Sequence, residues 1–174
     1  MCRTHIFVIA LLIVTSACSR VQPQGAANKQ EADSVAIALM QMNLQLAMDA
    51  DKALTDFVKT SDLPYVLDLS NFWYYRQTVT EGREVKEGMR VEYSAEVRNL
   101  ATGALIEEVT EEVTVGKRAT LRAIDICLGM MREGETYLLL APYYNAYGRD
   151  GNEWVEPLTN VTIKLTAEHL IIDN

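Results

Sequence analysis

The chain has 174 residues, of which 49% are hydrophobic and 23% are charged, a balance typical of one globular domain with a buried core. This composition excludes a fully disordered chain and a collagen-like one. Lys and Arg total 16 against 24 Asp and Glu, so the formal net charge of -8 argues against nucleic acid as a partner. With three cysteines and two histidines, we expect no metal site and no cofactor.

The first seventeen residues have the features of an export signal. Arg3 precedes an unbroken apolar run at residues 6–14, which is too short to cross a bilayer, and small residues follow at 15–17. The next residue is Cys18, so the segment resembles a bacterial lipoprotein signal, which implies that Cys18 is acylated. We expect cleavage after residues 1–17 and a lipid-anchored protein of the bacterial cell envelope, on the outer membrane facing the periplasm. An ordinary secretory signal with a chance cysteine is the alternative.

An amphipathic helix is the first predicted element of the folded part. Residues 18–31 are small and polar, with Pro23 and Gly25, which is typical of a flexible tether. Apolar residues then recur at spacings of three and four, which predicts a helix over residues 34–59. Its apolar face comprises Val35, Leu39, Met42, Leu46, Ala50, Ala53 and Phe57. Packing of this face on the following domain is favoured; the alternatives are a homodimer and a groove for unfolded clients.

The chain beyond Ser70 has the pattern of short strands with one further helix. The predicted strands are residues 72–79, 91–97, 106–115, 137–141 and 161–170, with a helix at 121–131 and a long loop at 142–157. One helix between antiparallel strands indicates an α+β fold. We therefore expect one domain over residues 71–174, preceded by an N-terminal helical segment at 32–70.

No common catalytic motif is present in the sequence. It contains no Walker loop, no Gly-rich dinucleotide turn and no nucleophile elbow. His169 is the only histidine beyond the expected signal, and we interpret it as a surface or sheet residue. The glutamates at 107–108 and 111–112 lack the spacing of a cation site, so we interpret them as a solvated strand face. Cys127 is expected to be a small core residue.

Four segments between Gly88 and Leu170 carry the most specific pattern in the sequence. They are residues 88–95, which include Tyr93, residues 128–142 (LGMMREGETYLLLAP), residues 145–148 (NAYG) and residues 156–163 (EPLTNVTI). In this order and spacing they resemble the FKBP-type peptidyl-prolyl isomerases. The lipoprotein signal, the helical preface and residues 71–75 are also similar to the gliding-motility-type branch of that family. The resemblance implies a bent antiparallel sheet wrapped around one short helix, with an apolar prolyl pocket between them.

The resemblance also implies the residues of the site. Tyr93 matches the pocket tyrosine of the second family strand, and Tyr147 matches the loop tyrosine whose hydroxyl binds the substrate; both are the expected catalytic residues. The implied substrate-binding positions are Ile106, Glu107, Leu121, Ile124, Val155 and Ile163. All three isoleucines of this set replace aromatic residues of the family, and Glu107 replaces an Asp. The implied pocket is therefore apolar but wider and less shaped.

Two functions from different classes fit these features. The first is a lipid-anchored prolyl isomerase that acts on proline-containing polypeptides and assists the folding of envelope proteins. The second is an FKBP-fold binding module that has lost the activity and uses its groove and its helix to hold clients. The replaced aromatics favour the binding module, whereas Tyr93 and Tyr147 favour the enzyme. A purely structural envelope subunit is a third alternative.

Overall fold

The structure is a computed structural model that describes residues 27–171, with side chains from residue 32 onward. The expected signal at residues 1–17, Cys18 and the first part of the expected tether lie outside these residues. In chain order the elements are α1 (Ala27–Thr60), β1 (Val66–Leu67), β2 (Trp73–Thr78), β3 (Arg90–Asn99), β4 (Leu105–Thr114), α2 (Arg122–Leu128), β5 (Thr136–Ala141), a 3₁₀ turn (Tyr143–Asn145) and β6 (Val161–Ile171). The predicted α+β fold with an N-terminal helix is confirmed.

Helix α1 is longer than its apolar periodicity predicts. It begins at Ala27, so residues 27–31, which were expected to belong to the tether, are helical. The described part of the chain divides into two units between Gln41 and Met42, so α1 has residues in both. The expected domain boundary after residue 70 stays a prediction.

The apolar face of α1 is buried over only a short stretch. Ala50 and Leu54 are buried, whereas the side chains of Val35, Met40 and Met48 are more than half exposed. Packing of this face on the following domain was favoured, and within the unit that begins at Met42 it is observed around Ala50 and Leu54. For the earlier part of the face it stays a prediction. From Met42 onward, part of the apolar surface of the helix is exposed.

The strands form one antiparallel sheet in the order β1-β2-β5-β6-β3-β4. Strand β3 lies between β6 and β4 and pairs with both along its length. Its alternate residues Val91, Tyr93, Ala95 and Val97 are buried, as the alternation in the sequence predicts.

One apolar cluster joins that face of the sheet to α2. From α2 it contains Ala123, Ile124, Cys127 and Leu128, and from β5 and β6 it contains Tyr137, Leu139, Ala141, Val161, Ile163, Leu165 and Ala167. Cys127 is fully buried, which confirms its prediction as a core residue, and burial raises the pKa of its thiol. The cluster holds α2 against the sheet.

Glu135 is a carboxylate with no exposed surface. It accepts a hydrogen bond from the Arg76 guanidinium at 2.6 Å and one from the backbone N–H of Arg132 at 2.8 Å. A buried carboxylate is tolerated when its oxygens are bonded in this way. These bonds tie the start of β5 to β2 and to the turn after α2.

The described residues were also considered as a membrane span and as a metal site. No helix among them is long and apolar enough to cross a bilayer. No group of three or more His, Cys, Asp or Glu side chains in this part of the chain is arranged to hold a metal ion.

We predict that Glu135→Ala lowers the free energy of unfolding by about 3 kcal/mol, because it removes a buried acceptor from two donors and leaves a void. The matched control is Glu112→Ala. Glu112 also pairs with an arginine, Arg90, at 2.6 Å, but both side chains are about half exposed. An exposed pair contributes only about 0–1 kcal/mol. Urea unfolding followed by tryptophan fluorescence measures both values, and equal losses in the two variants would contradict the prediction.

Candidate functional site

Six of the eight residues that the sequence predicted for the site belong to the apolar cluster or pack against it. Tyr93, Ile124 and Ile163 are buried members of it. Ile106, Leu121 and Tyr147 are partly buried and pack against it. Residues from three strands, the α2 region and a loop thus share one apolar surface.

The register of β3 explains why these residues converge. Val97 of β3 faces Glu107 of β4 on one side and Ile163 of β6 on the other. Four residues earlier on the same face, Tyr93 is opposite Glu111 of β4. Since directly paired residues point to the same side of a sheet, these side chains all belong to the side on which α2 packs.

Tyr147 contributes a hydroxyl at the edge of this surface. The hydroxyl donates a hydrogen bond to Glu107 Oε2 at 2.8 Å. Burial raises the pKa of the Tyr147 phenol, and the bond to Glu107 raises it further. Tyr147 is therefore a neutral donor at physiological pH, and Glu107 is its acceptor in the free chain.

The Tyr93 side chain is almost completely buried, with its hydroxyl bonded. The oxygen lies 2.9 Å from Thr120 Oγ1 and 3.4 Å from Glu111 Oε2. Burial is the main cause that raises the pKa of this phenol. The ring of Tyr93 thus supplies apolar carbon to the site. Its hydroxyl is hydrogen-bonded by Thr120 and Glu111.

Thr120 and Glu111 were not among the predicted site residues. The sequence placed Glu111 in a solvated strand face together with Glu107, Glu108 and Glu112. All four are exposed, but two of them also contact the site through Tyr147 and Tyr93. Their exposure agrees with the predicted solvated face, and because β4 alternates, Glu107 and Glu111 lie on the α2 side of the strand. Pairing β4 against β3 in register would have found Glu111.

Val155 is buried but is not a member of the cluster that the other predicted residues share. Its backbone N–H donates to Asn152 Oδ1 at 2.8 Å, and its carbonyl accepts a bond from Asn152 N at 3.0 Å. These contacts close a tight turn within its own loop. The predicted role of Val155 in substrate binding stays a prediction.

The loop that carries Tyr147 is fixed at its beginning by a buried amide. Asn145 has no exposed surface, and its Nδ2 donates to the carbonyls of Ser70 at 2.7 Å and Asn71 at 3.2 Å. The N–H of Gly148, which has a φ of 80°, donates to the Tyr143 carbonyl at 2.8 Å. A glycine adopts this left-handed conformation without strain, so the loop reverses directly after Tyr147.

A groove of about 540 Å³ lies elsewhere on the molecule. Its walls are formed by the end of α1, the turn after β3 and the segment before β6, and they include Phe57, Leu100, Pro157 and Leu158. None of the eight predicted site residues lines it. This groove is therefore separate from the surface around Tyr93 and Tyr147.

The arrangement suits a neutral, partly apolar ligand. Ile124, Ile163 and Tyr93 supply aliphatic and aromatic carbon but are buried in the free chain. The partly buried Ile106 and Leu121 pack against the same cluster, and Tyr147 offers one phenolic donor. Apolar surface with a few directed polar groups is the usual composition of a small-ligand site. Such a site can accept a peptide group, whose carbonyl takes a hydrogen bond.

Comparison with known proteins identifies the fold. The chain is similar to a peptidyl-prolyl cis-trans isomerase from Pseudomonas syringae (16% identity, 72% of this chain and 94% of that one, TM-score 0.62). It is also similar to FkpA from Escherichia coli (13%, 87% and 74%, 0.61) and to the N-terminal domain of FKBP42 from Arabidopsis thaliana (18%, 65% and 96%, 0.58). No protein-family model and no curated protein sequence matches the chain.

The chain therefore has the fold of the FKBP-type peptidyl-prolyl isomerases, which confirms the predicted fold. At these identities the likeness concerns the fold alone. The similarity to the gliding-motility-type branch stays a prediction.

We predict that the folded chain contains less tyrosinate than the unfolded chain just above pH 10. Burial is the main cause that raises the pKa values of Tyr93, Tyr137, Tyr144 and Tyr147. The unfolded chain therefore deprotonates first, at about pH 10. The associated stability is fully present below that pH and is lost as the pH rises above it.

Tyrosinate absorbance with and without urea, read at matched pH, measures the difference between the two states. Equal tyrosinate in folded and unfolded protein at about pH 10.5 would contradict the prediction.

Proposed function

We propose that the chain is a peptidyl-prolyl cis-trans isomerase that acts on proline-containing polypeptides. The observation that carries the proposal is the position of Tyr147, whose hydroxyl stands at the edge of the apolar surface formed by Tyr93, Ile124 and Ile163. The fold of the chain supports the same class of reaction, because a structure with this fold is a peptidyl-prolyl cis-trans isomerase.

The reaction requires no acid, base or cofactor. Rotation about an X-Pro bond passes through a twisted amide, and its uncatalysed barrier is roughly 18–20 kcal/mol. In the twisted state the amide loses resonance, so its surroundings can favour it by replacing water with apolar surface. In this proposal the proline ring lies on the partly buried Ile106 and Leu121, which pack against the cluster that contains Ile124 and Ile163. The Tyr147 hydroxyl donates to a substrate carbonyl.

Glu107 competes with the substrate for this hydroxyl. In the free chain the Tyr147 proton already has an acceptor, Glu107 Oε2, at 2.8 Å. A bound peptide carbonyl has to displace that carboxylate from the Tyr147 hydroxyl. Because Glu107 is exposed, the displaced carboxylate is then hydrogen-bonded by water. The Tyr147–Glu107 hydrogen bond therefore weakens substrate binding. In the free chain it also fixes the direction in which the Tyr147 hydroxyl points.

We predict opposite effects for variants of the two partners. Tyr147→Phe removes the donor and is expected to lower kcat/KM about tenfold, the value of one directed hydrogen bond. Glu107→Ala frees the donor and is expected to lower KM about threefold to fivefold. The assay is cis-to-trans isomerisation of a proline peptide by the full chain in detergent, with Tyr75→Phe on β2 as the matched control.

Absence of acceleration over buffer by the wild-type chain would overturn the proposed activity. A higher KM in Glu107→Ala would show instead that the carboxylate helps to bind the substrate.

A second candidate function is a holding chaperone or binding module, and the exposed apolar surface of α1 favours it. Val35, Leu39, Met40 and Met48 are about half exposed or more, and flexible methionines suit variable partners. Such surface fits either an unfolded client or a second copy of the chain, which would form a homodimer. A chain that prevents aggregation of an unfolded protein but gives no isomerisation would be this module, and sedimentation would give its oligomeric state.

We also propose that Cys18 is acylated and anchors the protein to the outer membrane on the periplasmic side, where it assists the folding of envelope proteins. The support is the sequence of the first eighteen residues. Cys18→Ser is expected to move the protein from the membrane fraction to the soluble fraction and to abolish labelling by a fatty acid. Cys127→Ala is the matched control, since that thiol is buried in the core. Membrane retention of Cys18→Ser would contradict the anchor.

A further inference from the structure

Helix α1 contacts the Tyr147 loop on both sides of the tyrosine. Three residues before it, the Tyr144 hydroxyl donates to Asp51 Oδ1 on the helix. Two residues after it, Arg149 Nη1 donates to Asn43 Oδ1 at 3.0 Å. The two helix residues are about two turns apart, so they span roughly 12 Å of the helix.

The hydrogen bond between Tyr144 and Asp51 joins a restrained donor to a charged acceptor. Its ring packs edge-on against Tyr143 with 5.3 Å between the ring centroids, which limits the directions in which the hydroxyl points. Burial raises the pKa of the Tyr144 phenol, so it keeps its proton at physiological pH. A phenol that donates to a carboxylate makes a charge-assisted bond.

The two ends of the loop differ in how they are held. The 3₁₀ turn before Tyr147 is fixed by the buried Asn145 side chain and by a bond from Tyr143 N to Asn160 Oδ1 at 2.9 Å. Beyond Gly148 the chain is exposed at Arg149 and Asp150. The contact of Arg149 with α1 therefore restrains the freer end of the loop.

We propose that Asp51 and Asn43 are positioning residues for Tyr147. Their hydrogen bonds are to Tyr144 and Arg149, the neighbours of Tyr147 in the loop, and they act by holding these two residues on α1. The phenolic donor is thereby kept over the apolar floor. This inference rests on the proposed function, since the positioned group is the proposed substrate donor.

The expected effect lies in turnover and not in folding. Both contacts are partly or fully exposed, so their loss removes little from the folded state. A displacement of a catalytic group by about 1 Å, however, can cost up to about a hundredfold in rate. We therefore expect Asp51→Ala and Tyr144→Phe each to lower kcat about tenfold and to change the unfolding midpoint little.

Three comparisons make the test specific to positioning. Asp51→Asn keeps an acceptor oxygen and is expected to retain most of the wild-type rate. The double variant Asp51→Ala with Tyr144→Phe is expected to lose no more than either single variant, because both remove the same bond. Asp49→Ala is the matched control, since Asp49 is exposed and accepts its bond from Gln45 within the helix.

The experiment uses the full chain in detergent with two readouts, isomerisation of a proline peptide and amide hydrogen exchange of residues 146–148. Support for the proposal is a lower kcat and faster exchange in Asp51→Ala but not in Asp49→Ala. Unchanged kcat and unchanged exchange in both Asp51→Ala and Tyr144→Phe overturn it.

An inactive wild-type chain would refute the proposed function separately. In that case amide hydrogen exchange alone tests whether α1 holds the loop. Equal exchange rates at residues 146–148 in Asp51→Ala and Asp49→Ala would show that it does not. If Asp51→Ala does not fold, Tyr144→Phe gives the answer, because it removes the donor and keeps the ring.

Discussion

The shortness of α2 is the constraint on which the site depends. The helix has 7 residues, a length of about 10 Å, whereas the 10-residue β3 extends about 33 Å. One short helix therefore covers only part of the apolar face of the sheet. The rest of that face, around Tyr93 and Val97, is buried by other parts of the chain. Tyr147 supplies part of this cover from a loop, and a loop is the kind of segment that can also make room.

The apolar surface of the site and its polar group are carried by different parts of the chain. The floor is built on strands and a helix, so its geometry is set by the core. The donor is carried by a loop whose position depends on a buried asparagine and on two contacts with α1. Replacing aromatic residues in the floor changes its shape but keeps its apolar character.

The parts of the structure that were predictable from sequence are those governed by local periodicity. The alternation at Val91–Val97 and the spacing along α1 each follow from one element and its water-facing side. The two faces of β4 were not predictable, because four glutamates hide the alternation and register is set by the partner strand. The Tyr144–Asp51 contact joins residues 93 positions apart in the chain. A local sequence pattern cannot predict a contact between residues so far apart. Motif order predicted most of the cluster around Tyr93, whereas Val155, which the motif also indicated, lies outside it.

The glutamates of β4 have a further consequence for the behaviour of the sheet edge. Strand β4 forms one edge of the sheet, and an edge offers unpaired backbone groups to any extended polypeptide. Glu108 and Glu112 project from one side of β4, and Glu107 and Glu111 from the other. Carboxylates on both faces of an edge disfavour the addition of a foreign strand and so protect against aggregation. The open edge of this sheet is therefore guarded against pairing with another extended chain.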